Sequence, residues 1–160
     1  MIEIVPARLA HVRAVTANMR AEDREEVSAL GVSVRGTVLR LYRDAIWSRA
    51  ALIDGEAAAI WGLNGALASF EGFPWLFTTP LVERVPLAFF RVTKGELARM
   101  LATKDTLVSG VAASYERSIR TWQMLGFELG EPQQWGAGGA LYHTLTLRRS
   151  AAVVPFRKAA

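Results

Sequence analysis

The sequence predicts an α/β (α+β) domain, a mixed central sheet of six to seven strands with helices on both faces. Three observations predict it. Short apolar or β-branched runs bounded by Pro, Gly or Asp alternate with longer stretches of helical spacing. Asp54-Gly55 sits between two apolar runs and supplies the positive φ angles of a tight hairpin, so some strands are antiparallel. Strand–helix–strand units in the second half call for a parallel crossover, so the sheet is mixed.

Each element follows in order. Ile2-Glu3-Ile4-Val5 alternates and is β-branched, and reads as a strand ending at Pro6. Leu9, Val12, Val15 and Met19 recur at helical spacing. A short helix is expected from Asp23 to Leu30, with Asp23 as N-cap and Gly31 as stop. Val34, Val38, Leu41, Ala45 and Ile46 mark an amphipathic helix with Arg35, Arg40 and Arg43 on its wet side. Ala50–Ile53 and Glu56–Leu63 form the hairpin, and residues 64–72 are read as a connector. Pro74–Thr79 is an apolar strand stopped by Pro80. Leu87–Ala102 is a helix with Phe89, Phe90, Leu97 and Leu101 inward and Arg91, Lys94 and Arg99 outward. Thr106–Ala113 is a strand, Glu116–Leu125 a helix stopped by Gly126, and Leu141–Leu147 a final strand that can pair with Phe127–Leu129.

The 160 residues suit one domain, and 51% hydrophobic with 21% charged residues excludes wholesale disorder. No apolar run is long enough to span a membrane, and the opening Met1–Pro6 is not expected to be a secretory signal. Without cysteine there is no disulfide, thiolate metal site or thiol nucleophile. The formal charge of +4 points to nucleic acid only until it is placed. Acids and bases balance up to Leu147, and the excess is Arg148, Arg149, Arg157 and Lys158. Residues 1–147 are therefore read as one neutral domain and 148–160 as a basic tail. The tail is either a solvated end or an electrostatic contact with an acidic protein or nucleic acid.

Ser118-Ile119-Arg120-Thr121-Trp122-Gln123-Met124-Leu125-Gly126-Phe127 resembles the late helix and Gly-Phe ending of the GNAT acyltransferase superfamily. The hairpin Leu52–Ala59 is similar to that family's second and third strands, and Ile2–Ala7 to its first. The resemblance runs from residue 2 to about residue 147 and implies the GNAT fold, with acetyl-CoA as donor to an amine. Two departures stand against it. The family's glycine-bearing loop, whose backbone amides bind the CoA pyrophosphate, is replaced here by Thr78-Thr79-Pro80-Leu81-Val82-Glu83-Arg84-Val85-Pro86. That stretch has no glycine, two prolines and an acid, with Arg84 alone to meet a phosphate. The family's proton-donating tyrosine is replaced by Trp122, whose indole is no acid near neutral pH. A narrower resemblance, to phage-encoded GNAT-like proteins of the internal virion protein A type, rests on Pro74-Trp75-Leu76-Phe77-Thr78-Thr79, the helix carrying Arg91, Lys94 and Arg99, and Ser118–Phe127.

Two functions are weighed. The first is a phage or prophage virion-associated protein with a structural, assembly or connector role. It would contact other virion proteins or itself, reside in the virion or the host cytoplasm, and use Trp135, Arg148, Arg149, Arg157 and Lys158 as partner contacts. Trp135 is expected on a loop, and the adjoining Gly136–Gly139 is read as a hairpin turn. The alternative is an acetyl-CoA-dependent N-acetyltransferase with a non-standard site. There Phe77, Thr78, Thr79, Ala112 and Trp122 would hold the donor, Glu71 or Glu83 would take a proton, and Tyr115 would supply one. The bland reading of both glutamates is a solvated loop carboxylate. Arg91, Arg117 and Arg120 are read as solvated helix faces. His11 and His143 lack partners at ligand spacing, so no metal is expected.

Overall fold

A computed structural model describes residues 1–150. The chain runs β1 (Ile2–Pro6), α1 (Leu9–Ala17), α2 (Ala21–Ser28), α3 (Val34–Arg43), β2 (Trp47–Ile53), β3 (Glu56–Asn64), β4 (Glu71–Thr78), a 3-10 turn (Pro80–Arg84), α4 (Pro86–Leu101), β5 (Thr106–Ala112), α5 (Glu116–Met124), β6 (Glu128–Trp135) and β7 (Ala140–Arg148). The seven strands form one sheet in the order β1-β2-β3-β4-β5-β7-β6. All neighbours are antiparallel except β4 and β5, which run parallel.

Strand alternation splits the core into two layers. Ala51, Ile53, Ala59, Trp61 and Leu63 face α4 and α5 with Leu97, Met100 and Phe127. Ala50, Ile60, Trp75 and Phe77 face α1 and α3 with Val12, Val15 and Val38. The β2–β3 turn is the expected one, with Asp54 at φ 50 and Gly55 at φ 84. Among the described residues no helix is long and apolar enough to cross a membrane.

Several boundaries differ from the sequence reading, among them the start of β4, which is Glu71 where Pro74 was expected. The helix expected to open at Asp23 spans Ala21–Ser28, and Asp23 lies inside its first turn instead of capping it. The following helix ends at Arg43, because Ile46 already donates its N–H to the Leu63 carbonyl on β3. The first hairpin strand starts at Trp47, and the polar stretch after Phe127 is strand as far as Trp135. β6 lies at the sheet edge with both faces mostly exposed, so it carries no apolar alternation to read.

Candidate functional site

The parallel pair positions the site. β4 and β5 are in register only at Glu71 with Thr106 and Gly72 with Leu107. Beyond these two rungs the strands diverge. The Thr79 N–H donates to Ala58 on β3, so by alternation the peptide groups of Leu76 and Thr78 face β5. The Ala113 N–H donates to Leu141 on β7, so those of Gly110 and Ala112 face β4. The wedge between the strands is thus edged by backbone donors and acceptors that no strand satisfies.

At its open end α2 supplies the partners. The Thr78 N–H and Oγ1 both donate to Asp23 Oδ2, at 2.9 and 2.7 Å. The Thr78 carbonyl accepts the Arg20 N–H at 3.0 Å. Across the wedge the Ala112 N–H donates to Glu26 Oε1 at 2.6 Å. Burial pushes the Glu26 carboxyl up to about 6; the Ala112 bond pulls it back and the Asp23 charge adds to the rise. The Tyr142 hydroxyl donates to the Glu26 carbonyl, and Trp135 stacks flat on Tyr142 with ring centres 5.4 Å apart. Gly110 makes room for that indole: a Cβ there would lie 2.2 Å from the Trp135 ring.

The two flanks of this open end differ. On the β4 side the chain enters the turn 80–84. Leu81 donates its N–H to Thr79 Oγ1, Val82 to the Thr79 carbonyl and Val85 to the Val82 carbonyl, while Phe89 donates to the Val85 carbonyl. Pro80 and Pro86 have no N–H to give. Glu83 points its carboxylate to within 3.9 Å of Arg20. These residues do not fit the CoA pyrophosphate, which needs a nest of free amides and no competing anion. Between α4 and α5, above Leu76, a crevice walled by Trp61, Phe89, Val92, Glu96 and Trp122 holds only ≈ 30 Å³. Pockets that enclose small ligands run to about 300–1,000 Å³. Trp122 borders this crevice and packs edge-on against Phe127 at 5.0 Å.

The structure gathers some of the sequence candidates and scatters others. Thr78 and Ala112 stand at the wedge, on the two carboxylates. Thr79 is buried and turned away, its hydroxyl donating to the Ala58 carbonyl at 3.2 Å. Phe77 lies apart from them: strand alternation buries its ring among α1 and α3, on the opposite layer from Leu76. Glu71 lies at the closed end of the wedge, seven extended residues or about 23 Å from Thr78. Tyr115 precedes α5 and donates to Glu25 at 3.1 Å. Partial burial, then that bond and the nearby carboxylates, push its hydroxyl up to about 12, which weakens it as an acid.

Trp135 ends β6 packed on Gly110 and Tyr142, which corrects the expectation of a loop residue. Arg148 ends β7 and pairs with Glu128 at 3.0 Å, and Arg149 pairs with Asp105, so both cations have acid partners within the fold. Arg157 and Lys158 lie outside the described residues. His11 Nδ1 accepts the Arg8 N–H, and His143 Nδ1 donates to the Gly130 carbonyl. Glu26 and Arg20 went unnoticed in the sequence, and Asp23 was read only as a helix cap. Their only local signal is the run Arg20-Ala21-Glu22-Asp23-Arg24-Glu25-Glu26, which reads as a solvated helix.

No protein-family model matches the sequence, and no curated protein matches it by sequence. Solved structures do match. The ribosomal-protein-S18-alanine N-acetyltransferase of Escherichia coli superposes with a TM-score of 0.68 at 18% identity, covering 97% of this chain and 98% of that one. An N-acetyltransferase from Staphylococcus aureus Mu50 gives 0.68 at 13% identity, covering 92% and 98%. YncA from Salmonella typhimurium, assigned as an acetyltransferase and solved with its cofactor acetyl-CoA, gives 0.62 at 15% identity, covering 96% and 97%. None of these findings bears on a virion role. At such identities the likeness fixes the architecture: the chain has the GNAT fold of these N-acetyltransferases.

Proposed function

We propose that the chain is an N-acyltransferase that acylates a cationic amine at the open end of the β4–β5 wedge, from a thioester donor held without a pyrophosphate grip. One observation carries this reading. Two carboxylates of α2 stand on the diverging strands, and Glu26, with its carboxyl at about 6, is poised to take a proton near neutral pH. An amine attacks a thioester only as the neutral base, so a proton acceptor beside it is what the chemistry needs. Glu22, Asp23, Glu25 and Glu26 make the approach along α2 anionic, which favours a cationic acceptor. The fold shared with N-acetyltransferases supports the reading.

The test compares acetyl-CoA with acetyl-pantetheine as donors against a panel of polyamines and amino-terminal peptides. Transfer is expected from both donors at rates within about threefold of each other, since the nucleotide end meets no built site. Glu26→Gln, which keeps a hydrogen-bond acceptor for Ala112, is expected to cost on the order of 10²-fold in kcat and to erase a pH dependence centred near 6. A folded protein that transfers from neither donor overturns the proposal.

A second reading is favoured by the amide-poor turn 80–86. In it the fold is a scaffold in an assembly, such as a virion component contacting other virion proteins or its own copies. A negative result with both donors supports this reading.

A further inference from the structure

On the sheet face remote from the α4–α5 crevice, α1 and α3 enclose a groove of ≈ 470 Å³, within the range of about 300–1,000 Å³ of small-ligand pockets. Leu9 and Leu39 give it apolar surface, Val12 lies buried beneath, and Arg13, Arg35 and Arg43 line it. The spacing explains the arrangement. Leu9, Val12 and Arg13 recur on one face of α1, and Arg35, Leu39 and Arg43 follow at i, i+4 and i+8 on one face of α3. Among the described residues none of the three guanidiniums has an ion-pair partner, and no acid lines the groove. Elsewhere several arginines are paired internally: Arg20 with Asp23, Arg49 and Arg99 with Glu96, Arg120 with Glu116. Along α3 the outer two arginines are eight residues apart, about 12 Å of helix. A ligand with an anionic group at each end of a body of that length would meet one guanidinium with each end.

We propose that this groove binds an elongated amphipathic dianion, a medium-chain dicarboxylate in chemical class, with its hydrocarbon body on Leu9 and Leu39 and a carboxylate at each of Arg35 and Arg43. Arg13, from the facing helix, adds a further positive charge to the groove. The inference is independent of acyl transfer, because the groove lies on α1 and α3 and shares no residue with the wedge. Guanidinium is the group suited to such ends, since its fork meets a carboxylate through two parallel bonds.

The experiment is calorimetric titration of the full chain with decanedioate, decanoate and decane-1,10-diol at low and at raised salt. The expected result is tightest binding of decanedioate, weakening with salt, with decanoate at least about tenfold weaker and the diol weaker still. Arg35→Gln and Arg43→Gln are each expected to cost about tenfold for decanedioate and to erase its advantage over decanoate. Both side chains are exposed, so the fold should survive, and circular dichroism checks that. Equal binding of the diol, binding indifferent to both substitutions, or no binding at millimolar decanedioate overturns the proposal. So does capture of an acidic amphipathic peptide with the dicarboxylate failing, which would make the groove a protein-docking face. Self-association abolished by the arginine changes would overturn it as well, assigning the groove to a second copy.

Discussion

The open end of β4 is flanked by two segments of similar length that treat it in opposite ways. From α2, four acids approach, and two of them bond backbone and hydroxyl groups of β4 and β5 at 2.6–2.9 Å. From residues 80–86 come two prolines, one carboxylate and amides turned inward on their own turn. The first flank is built from long-range directed bonds and the second from local ones. A site that recognises something must spend its polar groups outward, and only the α2 flank has polar groups aimed at the wedge. The fold alone therefore does not say which chemistry survives; the distribution of donors and acceptors around one strand end does.

Breaking the bonded flank gives the largest expected effect. Asp23→Ala removes the acceptor for two Thr78 donors in a residue only 4% exposed, and is expected to cost about 3 kcal/mol in chemical denaturation. Gly110→Ala drives a methyl into the Trp135 ring and should cost about 2 kcal/mol, with a matching fall in Tm; Gly110→Ala combined with Trp135→Ala should recover part of it. The Glu26 carboxyl sharpens the contrast through pH. Its carboxyl is raised from 4.5 to about 6, so the folded state holds the proton more tightly than the unfolded one. Stability is then expected to fall by about 2 kcal/mol as pH rises through that window and to stay level above it. Urea titrations at several pH values should show this fall, and Glu26→Gln should flatten it. On the other flank, Glu83→Gln loosens only a half-exposed pair at 3.9 Å, and a change within about 0.5 kcal/mol is expected. A loss near that of Asp23→Ala would dissolve the distinction between the flanks.

The strands and helices were legible because each announces itself locally: alternation in Ile2–Val5, Asp-Gly at the hairpin, helical spacing in α1 and α3. The site was legible only in part. Thr78 and Ala112 could be placed by the fold resemblance, but their partners lie 55 and 86 residues away in sequence. Nothing near Asp23 or Glu26 distinguishes a buried acceptor from a solvated helix acid. Phe77 was readable in principle, because Trp75 and Phe77 share a parity that Leu76 does not. Trp135 was hidden for a different reason: an edge strand exposed on both faces needs no pattern, and the clue was a glycine twenty-five residues earlier, at Gly110.

Two backbone rungs, and the Ser109 hydroxyl donating to the Pro74 carbonyl, join the four strands on one side of the wedge to the three on the other. At the closed end the buried Lys104 ammonium clasps the carbonyls of Ala66 and Ser69, each at 2.7 Å. At the open end α2 holds Thr78 with one carboxylate and Ala112 with the next, so a single helical turn ties both blocks of the sheet together. Whatever enters between the strands competes with that turn for the same two amides. Occupancy of the wedge and release of α2 are then linked by mass action, and amide hydrogen exchange at Thr78 and Ala112 would count the open molecules directly.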